Sequence, residues 1–181
     1  MKLPVKMLEA LYWAEIHMRE ARDAAKHLIL LGETGQELAH SIYTGIVVSY
    51  SRSFGSNQGL SAINADFSKF TDPKLQNLHG LLLEARRTIY AHKDVTKEGD
   101  RLPVELPREL LRRITFHVAE SGVIHWIVQR PALPTTYLND IISLCEFQAG
   151  RMNVASGAIL QNFLKGKSYS AGDYTLGENF P

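Results

Sequence analysis

The chain has 181 residues, with 20 Lys and Arg against 19 Asp and Glu and a single Cys, for a formal net charge of +1. That length suits one domain spanning residues 1–181, able to bury roughly 70% of its extended surface without a disulfide or metal staple. At 45% hydrophobic and 22% charged, the composition excludes the disordered, collagenous and disulfide-scaffolded classes. Near-neutrality excludes a whole-molecule attraction to polyanions, so any nucleic-acid role must come from a local basic patch.

The first predicted element is a helix of several turns. Met7, Leu11, Ala14, Met18, Ala21, Ala25 and Leu28 recur at alternating spacings of four and three, which puts them on one apolar seam. Gly32 then suits a left-handed C-cap. Thr34, with Glu37 three residues later, reads as a capping box for a second helix carrying Leu38, Ile42, Ile46 and Tyr50 inward. The Gly- and Ser-rich stretch 53–59 ends that helix as a loop.

Asp72-Pro73 marks the next start: a side-chain acceptor at the N-cap, then a proline at N1 whose missing donor costs nothing. The helix it opens is expected to run to about Ala91, with Leu75, Leu78, Leu82, Ala85 and Ile89 as its buried stripe. Gly99, Pro103 and Pro107 then take the chain out of helical structure. Ile114, Phe116 and Val118 alternate, Glu120-Ser121-Gly122 offers a turn, and 123–128 is β-branched and aromatic, so 113–130 reads as a β-hairpin within a 95–134 insertion. A long helix over about 135–164 follows, using Leu138, Ile141, Ile142, Cys145, Met152, Ile159 and Phe163. Gly150 and Gly157 in it suggest a kink or a tight helix crossing. The tail 165–181 has no period. The fold class expected is mostly α: a bundle of about four main helices with a small β-hairpin insertion.

Several chemistries fall away on spacing. Gly166-Lys167-Ser168 ends like a P-loop, but Gln161 stands where the required glycine belongs. No two of the seven histidines are four apart, and without cysteine partners a zinc site is not expected, nor is any other cofactor. Cys145, alone in an apolar run, reads as buried filler and fits a reducing compartment. The stretch 38–51 is too short to span a bilayer. The expectation is a cytoplasmic protein with no membrane association.

What remains is the segment 81–94, LLLEARRTIYAHKD. It places Arg87 and His92 at R-x4-H, with Arg86 giving R-x5-H, toward the end of a helix. An arginine fork grips phosphate oxygens, and a neutral imidazole accepts a proton, such as that of an RNA 2′-hydroxyl. On a regular helix the two lie about 140° apart, with Arg87 nearly opposite the apolar stripe, Arg86 on its flank and His92 at its edge. On periodicity alone, Arg87 is equally a surface charge and His92 a helix-end histidine near the negative end of the dipole.

The stretch R-T-I-Y-A-H-K-D resembles the signature of the HEPN superfamily, R-x4–6-H near the end of a bundle helix. The resemblance covers roughly 7–94 and 135–164. It implies an α-helical bundle that forms a homodimer with two motifs facing a shared cleft. It also implies a metal-independent endoribonuclease of a defence or toxin–antitoxin type, with Arg87 on the phosphate, His92 as general acid/base and Asp94 as a nearby polar partner. Arg86 supports the phosphate-binding role. The segment Ser49–Phe54, with Arg52 as either a second phosphate contact or a structural salt bridge, and His79, one heptad before Arg86, are similar to stretches in helical relatives. Active members usually carry Asn, Asp or His where this chain has Thr88, whose hydroxyl can still hydrogen-bond. Thr88 and the neutral charge point to the family's other mode, a non-catalytic module binding a nucleotide or a cognate protein partner. A third reading is a dimerisation domain with a chance motif.

Overall fold

The computed structural model describes residues 3–32, 36–55, 63–87, 113–129 and 135–166. Among them are four helices: α1 (Leu3–Leu31), α2 (Gln36–Arg52), α3 (Pro73–Ala85) and α4 (Thr135–Leu164). They form a helical bundle in which α1 packs chiefly along α4 and next along α2, while α3 bridges α2 and α4.

The small-residue seam of α1 explains why the two longest helices meet. Leu11, Ala14, Met18, Ala21, Ala25 and Leu28 are all buried in the common core with Leu138, Ile141, Leu144, Cys145 and Met152 of α4. The alanines let the backbones approach, and the Leu, Ile and Met side chains fill the space between them. Each such residue, fully buried, contributes about 1.5–3 kcal/mol of transfer free energy. Gly32, at φ 51°, takes the left-handed conformation that ends α1.

Met7, expected on the α1 seam, is 40% exposed; Val5 and Leu8 take the buried positions in that turn. Leu38, expected to point inward from α2, is 61% exposed, while Ile46, Val47 and Tyr50 hold that helix in the core. In both helices the core face is well formed along the middle and C-terminal turns. The apolar residue at the outer turn lies just off it.

Helix α3 opens as the cap pattern dictates: the Asp72 carboxylate accepts from the Lys74 N–H at 2.8 Å, with Pro73 in the first turn. Its regular α geometry stops at Ala85, and the expected end at Ala91 lies outside the described residues. The Arg86 N–H is shared between the carbonyls of Leu82 and Leu83, and the chain widens into a π turn at Arg86 and Arg87. Helix α4 runs unbroken through both of its glycines. Among the described residues no neighbouring atom comes within 4 Å of a Cβ built on Gly150 or Gly157, so neither marks a tight crossing between the described helices.

Strands β1 (Arg113–Val118) and β2 (Ile124–Gln129) pair antiparallel, with Phe116 opposite Trp126 and His117 opposite His125. Gly122, at φ 80°, supplies the left-handed turn residue, and the Ala119 N–H donates to the Val123 carbonyl at 2.9 Å to close the loop. Thr34 and Ile89, and the tail beyond 166, lie outside the described residues. Among those described, no helix is long and apolar enough to cross a membrane.

Candidate functional site

The bundle end where α2 and α3 finish carries the arginines singled out from the sequence. Arg86 turns inward: it is half-buried, and its Nη1 donates to the Ser51 carbonyl at 3.1 Å. It thereby adds a second donor to a carbonyl in the last turn of α2 that also accepts from the Phe54 N–H at 3.2 Å. Gly55 makes room for it, because a Cβ there would lie 3.2 Å from the same Nη1. The Ser51 hydroxyl donates to the Leu82 carbonyl at 3.3 Å, a second tie between the two helix ends.

Arg87 does the opposite. Its side chain is 64% exposed, in keeping with a position away from the apolar stripe. Its Nε and Nη2 donate to the two carboxylate oxygens of Glu84 at 3.2 and 3.0 Å. That pairing raises the already high pKa of the guanidinium, so Arg87 is a permanent cation held in one orientation by a largely buried carboxylate. Arg52, exposed at the last turn of α2, lies next to Ser51. The structure thus brings Arg52 and Arg86 to one end of the bundle. Thr88, His92 and Asp94 lie outside the described residues.

Two residues at this end were not identified from the sequence. His17, on α1, has its Nδ1 3.5 Å from the hydroxyl of the buried Ser53. Burial lowers its pKa, the charge of Glu20 opposes that shift, and the charge of Arg52 adds to it. Trp13, one turn earlier, has its ring centroid 6.3 Å from that of His17 and is 46% exposed. Neither was legible, because their significance lies in the nearness of α2's end. Glu84 sat in plain view three residues before Arg87, a helical pairing distance.

A second arginine site lies on α4. Arg151 donates from Nη2 to the Asp66 carbonyl at 2.8 Å, and from Nη1 to the Phe67 and Lys69 carbonyls at 3.3 Å and to Gln148 Oε1 at 3.2 Å. Its guanidinium also lies over the rings of Phe67, Phe70 and Phe147 at 5.0–5.7 Å. Gln148 adds a 2.7 Å bond to the Phe67 carbonyl. Together they fasten the short 3₁₀ turn at Ala65–Ser68 to α4. Behind Phe70, the buried His79 has its Nδ1 2.8 Å from the Tyr50 hydroxyl and an edge-to-face contact with Phe54 at 4.6 Å. Burial, aided by the charge of Arg151, pushes the His79 pKa down to about 4. His79 is a neutral core histidine. Cys145 is likewise buried, which pushes its thiol up to about 12 and leaves it unreactive.

Among the described residues no group of three His, Cys, Asp or Glu side chains is placed to hold a metal ion. No family model, curated protein or solved structure matches this chain.

Proposed function

We propose that the protein is a HEPN-like, metal-independent endoribonuclease of a defence or toxin–antitoxin type, working as a homodimer through Arg87 and His92. One observation carries this reading above a chance motif: the unequal use of the two adjacent arginines. Arg86 is spent on closing α2, whereas Arg87 is outward-facing, permanently charged and pre-oriented. That favours R-x4-H over R-x5-H as the working spacing, and a pre-oriented cation loses little further freedom on meeting a phosphate.

The chemistry needs no metal. His92 takes the proton from a ribose 2′-hydroxyl, and the 2′-oxygen forms a bond to the adjacent phosphorus. The bond from phosphorus to the 5′-oxygen breaks, and a histidinium, supplied by the second protomer's motif, protonates that leaving oxygen. Arg87 offsets the charge that builds on the phosphoryl oxygens. The products are a 2′,3′-cyclic phosphate and a free 5′-hydroxyl. The test is purified protein with RNA in EDTA, beside Arg87→Ala and His92→Ala. Cleavage by the wild type alone supports the mechanism; equal cleavage by all three, or none by the wild type, removes it.

A second reading has its own observation. Glu84 already occupies two of Arg87's donors, and its negative charge opposes a phosphate there. That favours a non-catalytic module binding a nucleotide or a cognate protein, with Thr88 and the net charge of +1 on the same side. Saturable ATP binding by calorimetry, lost in Arg87→Ala and unaccompanied by RNA turnover, selects it.

A further inference from the structure

The β1–β2 ribbon differs from the helices in the backbone groups it turns outward. The Ala119 N–H donates to the Val123 carbonyl at 2.9 Å, and the next pair of the same kind is His117 with His125. Bonded and unbonded pairs alternate along an antiparallel ladder, so the odd-numbered residues bond the strands to each other. The even-numbered ones, Ile124, Trp126 and Val128 on β2, direct their N–H and C=O groups to the outer edge. Among the described residues the sheet has these two strands alone, and no helix packs closely along them. Such a ribbon is marginal in water until a further strand or a helix completes it. The register also sorts it into two faces: Ile114, Phe116, Val118, Ile124, Trp126 and Val128 share one, by the alternation of the pleat. Val118 and Ile124, paired at the turn end of that apolar face, are 53% and 54% exposed. Strand β1 starts at Arg113, a charge of the kind that guards an edge, whereas β2 contains no Lys, Arg, Asp or Glu.

We infer that the outer edge of β2 is the interface for a second copy of this chain, paired antiparallel about Trp126 so that the two ribbons form one continuous sheet. Self-complementarity selects this occupant. With Trp126 opposite Trp126 of the second copy, Ile124 stands opposite Val128, and every outward N–H and C=O of β2 finds a partner in the same register. Directly opposed residues of an antiparallel pair share a face, so the apolar faces of the two ribbons become one. A strand without charges also meets its own copy with no like-charge repulsion. The exposed apolar faces of α1, at Tyr12, Trp13 and Ile16, and of α4, at Phe147 and Val154, select no partner in this way. A helix satisfies its backbone internally, and apolar contact has no direction. The inference deepens the homodimer of the proposed function by naming its surface; it rests on that reading for the dimer alone and needs no RNA chemistry.

The test uses the full-length protein. Sedimentation equilibrium should give the mass of two chains at micromolar concentration, falling to that of one on dilution. Val128→Pro deletes an outward N–H and leaves the β1–β2 ladder its bonds; it should weaken self-association about ten-fold or more. Oxidation of the double variant His125→Cys/Ile127→Cys should give a covalent dimer, because positions 125 and 127 stand opposite each other across the twofold axis. Neither single variant should cross-link. Cys145 is buried and unreactive, so the introduced thiols report alone. A monomeric wild type overturns the inference, as does undiminished association in Val128→Pro or an assembly larger than the dimer. If Val128→Pro unfolds, the cysteine pair decides by itself. A dimer in which that pair does not cross-link overturns the inference and leaves the homodimer reading, through another face. Cross-linking without cleavage of RNA keeps the interface and removes only the nuclease.

Discussion

Arg151 and Arg87 both sit on helices near the bundle surface, yet the protein uses them in opposite ways. Arg151 is enclosed by three aromatic rings and bonded to three backbone carbonyls and Gln148. Arg87 has one carboxylate partner and open solvent on its other side. A guanidinium surrounded by acceptors is a structural bolt, and one held by a single anion is an oriented charge. The comparison shows that the number of acceptors around a guanidinium, more than the presence of an arginine, separates a bolted side chain from one left facing solvent.

The largest effect that would break this contrast is catalytic. On the endoribonuclease reading, Arg87→Ala should lower RNA cleavage in EDTA by a factor of about 10² to 10⁴ while lowering the urea midpoint by less than Arg151→Ala does. Arg151→Ala should leave cleavage intact. A wild-type cleavage rate in Arg87→Ala, or a collapsed midpoint, reverses the two roles.

Next comes the pH response of the Arg151 side. With the His79 pKa lowered from 6.5 to about 4, the unfolded chain takes up a proton before the folded one does. The stability associated with neutral His79 is therefore complete above about pH 6.5 and is lost as the pH falls through about 4. The loss is roughly 3 kcal/mol at one pKa unit per 1.36 kcal/mol. Urea titrations across that window, for wild type and His79→Phe, measure it; the variant should be flatter, and identical slopes would deny His79 this part.

Arg151→Ala itself should cost about 2–3 kcal/mol, since charge-assisted bonds to backbone carbonyls vanish together with the contacts to three rings. The carbonyl of Phe67 keeps Gln148, which limits the damage. Faster amide exchange confined to residues 63–70 would locate it. Smaller again is Arg86→Ala, at about 1 kcal/mol for the lost bond to Ser51, read as fraying of the α2 C-terminus by the same measurement. A loss as large as that at Arg151 would make Arg86 a second bolt.

Much of this architecture could be read from one-dimensional spacing. The seam from Leu11 to Leu28, the Asp72-Pro73 start and the long helix through Leu138, Ile141 and Met152 follow from periodicity and capping, which act within a few residues. Met7 departs from it because Val5 and Leu8 hold the core face in that turn, and Leu38 because the outer turn of α2 leaves it exposed. The assignment of Arg86 inward and Arg87 outward was legible from the helical wheel, and the bond that gives Arg86 its task was not, since its acceptor is a carbonyl on another helix. Arg151 escaped notice for the same reason: backbone acceptors carry no sequence signature. His17 and Trp13 gained meaning only when α1 was laid beside the end of α2.

The space left by Gly55 gives Arg86 a vulnerability that its own identity does not reveal. A single methyl group at position 55 would press on the guanidinium from 3.2 Å and displace it from the Ser51 carbonyl by a few tenths of an ångström. In a population of variants, Gly55→Ala would therefore behave as an allele of Arg86. It would loosen the tie between the ends of α2 and α3, although residue 55 carries no charge, donor or acceptor side chain of its own.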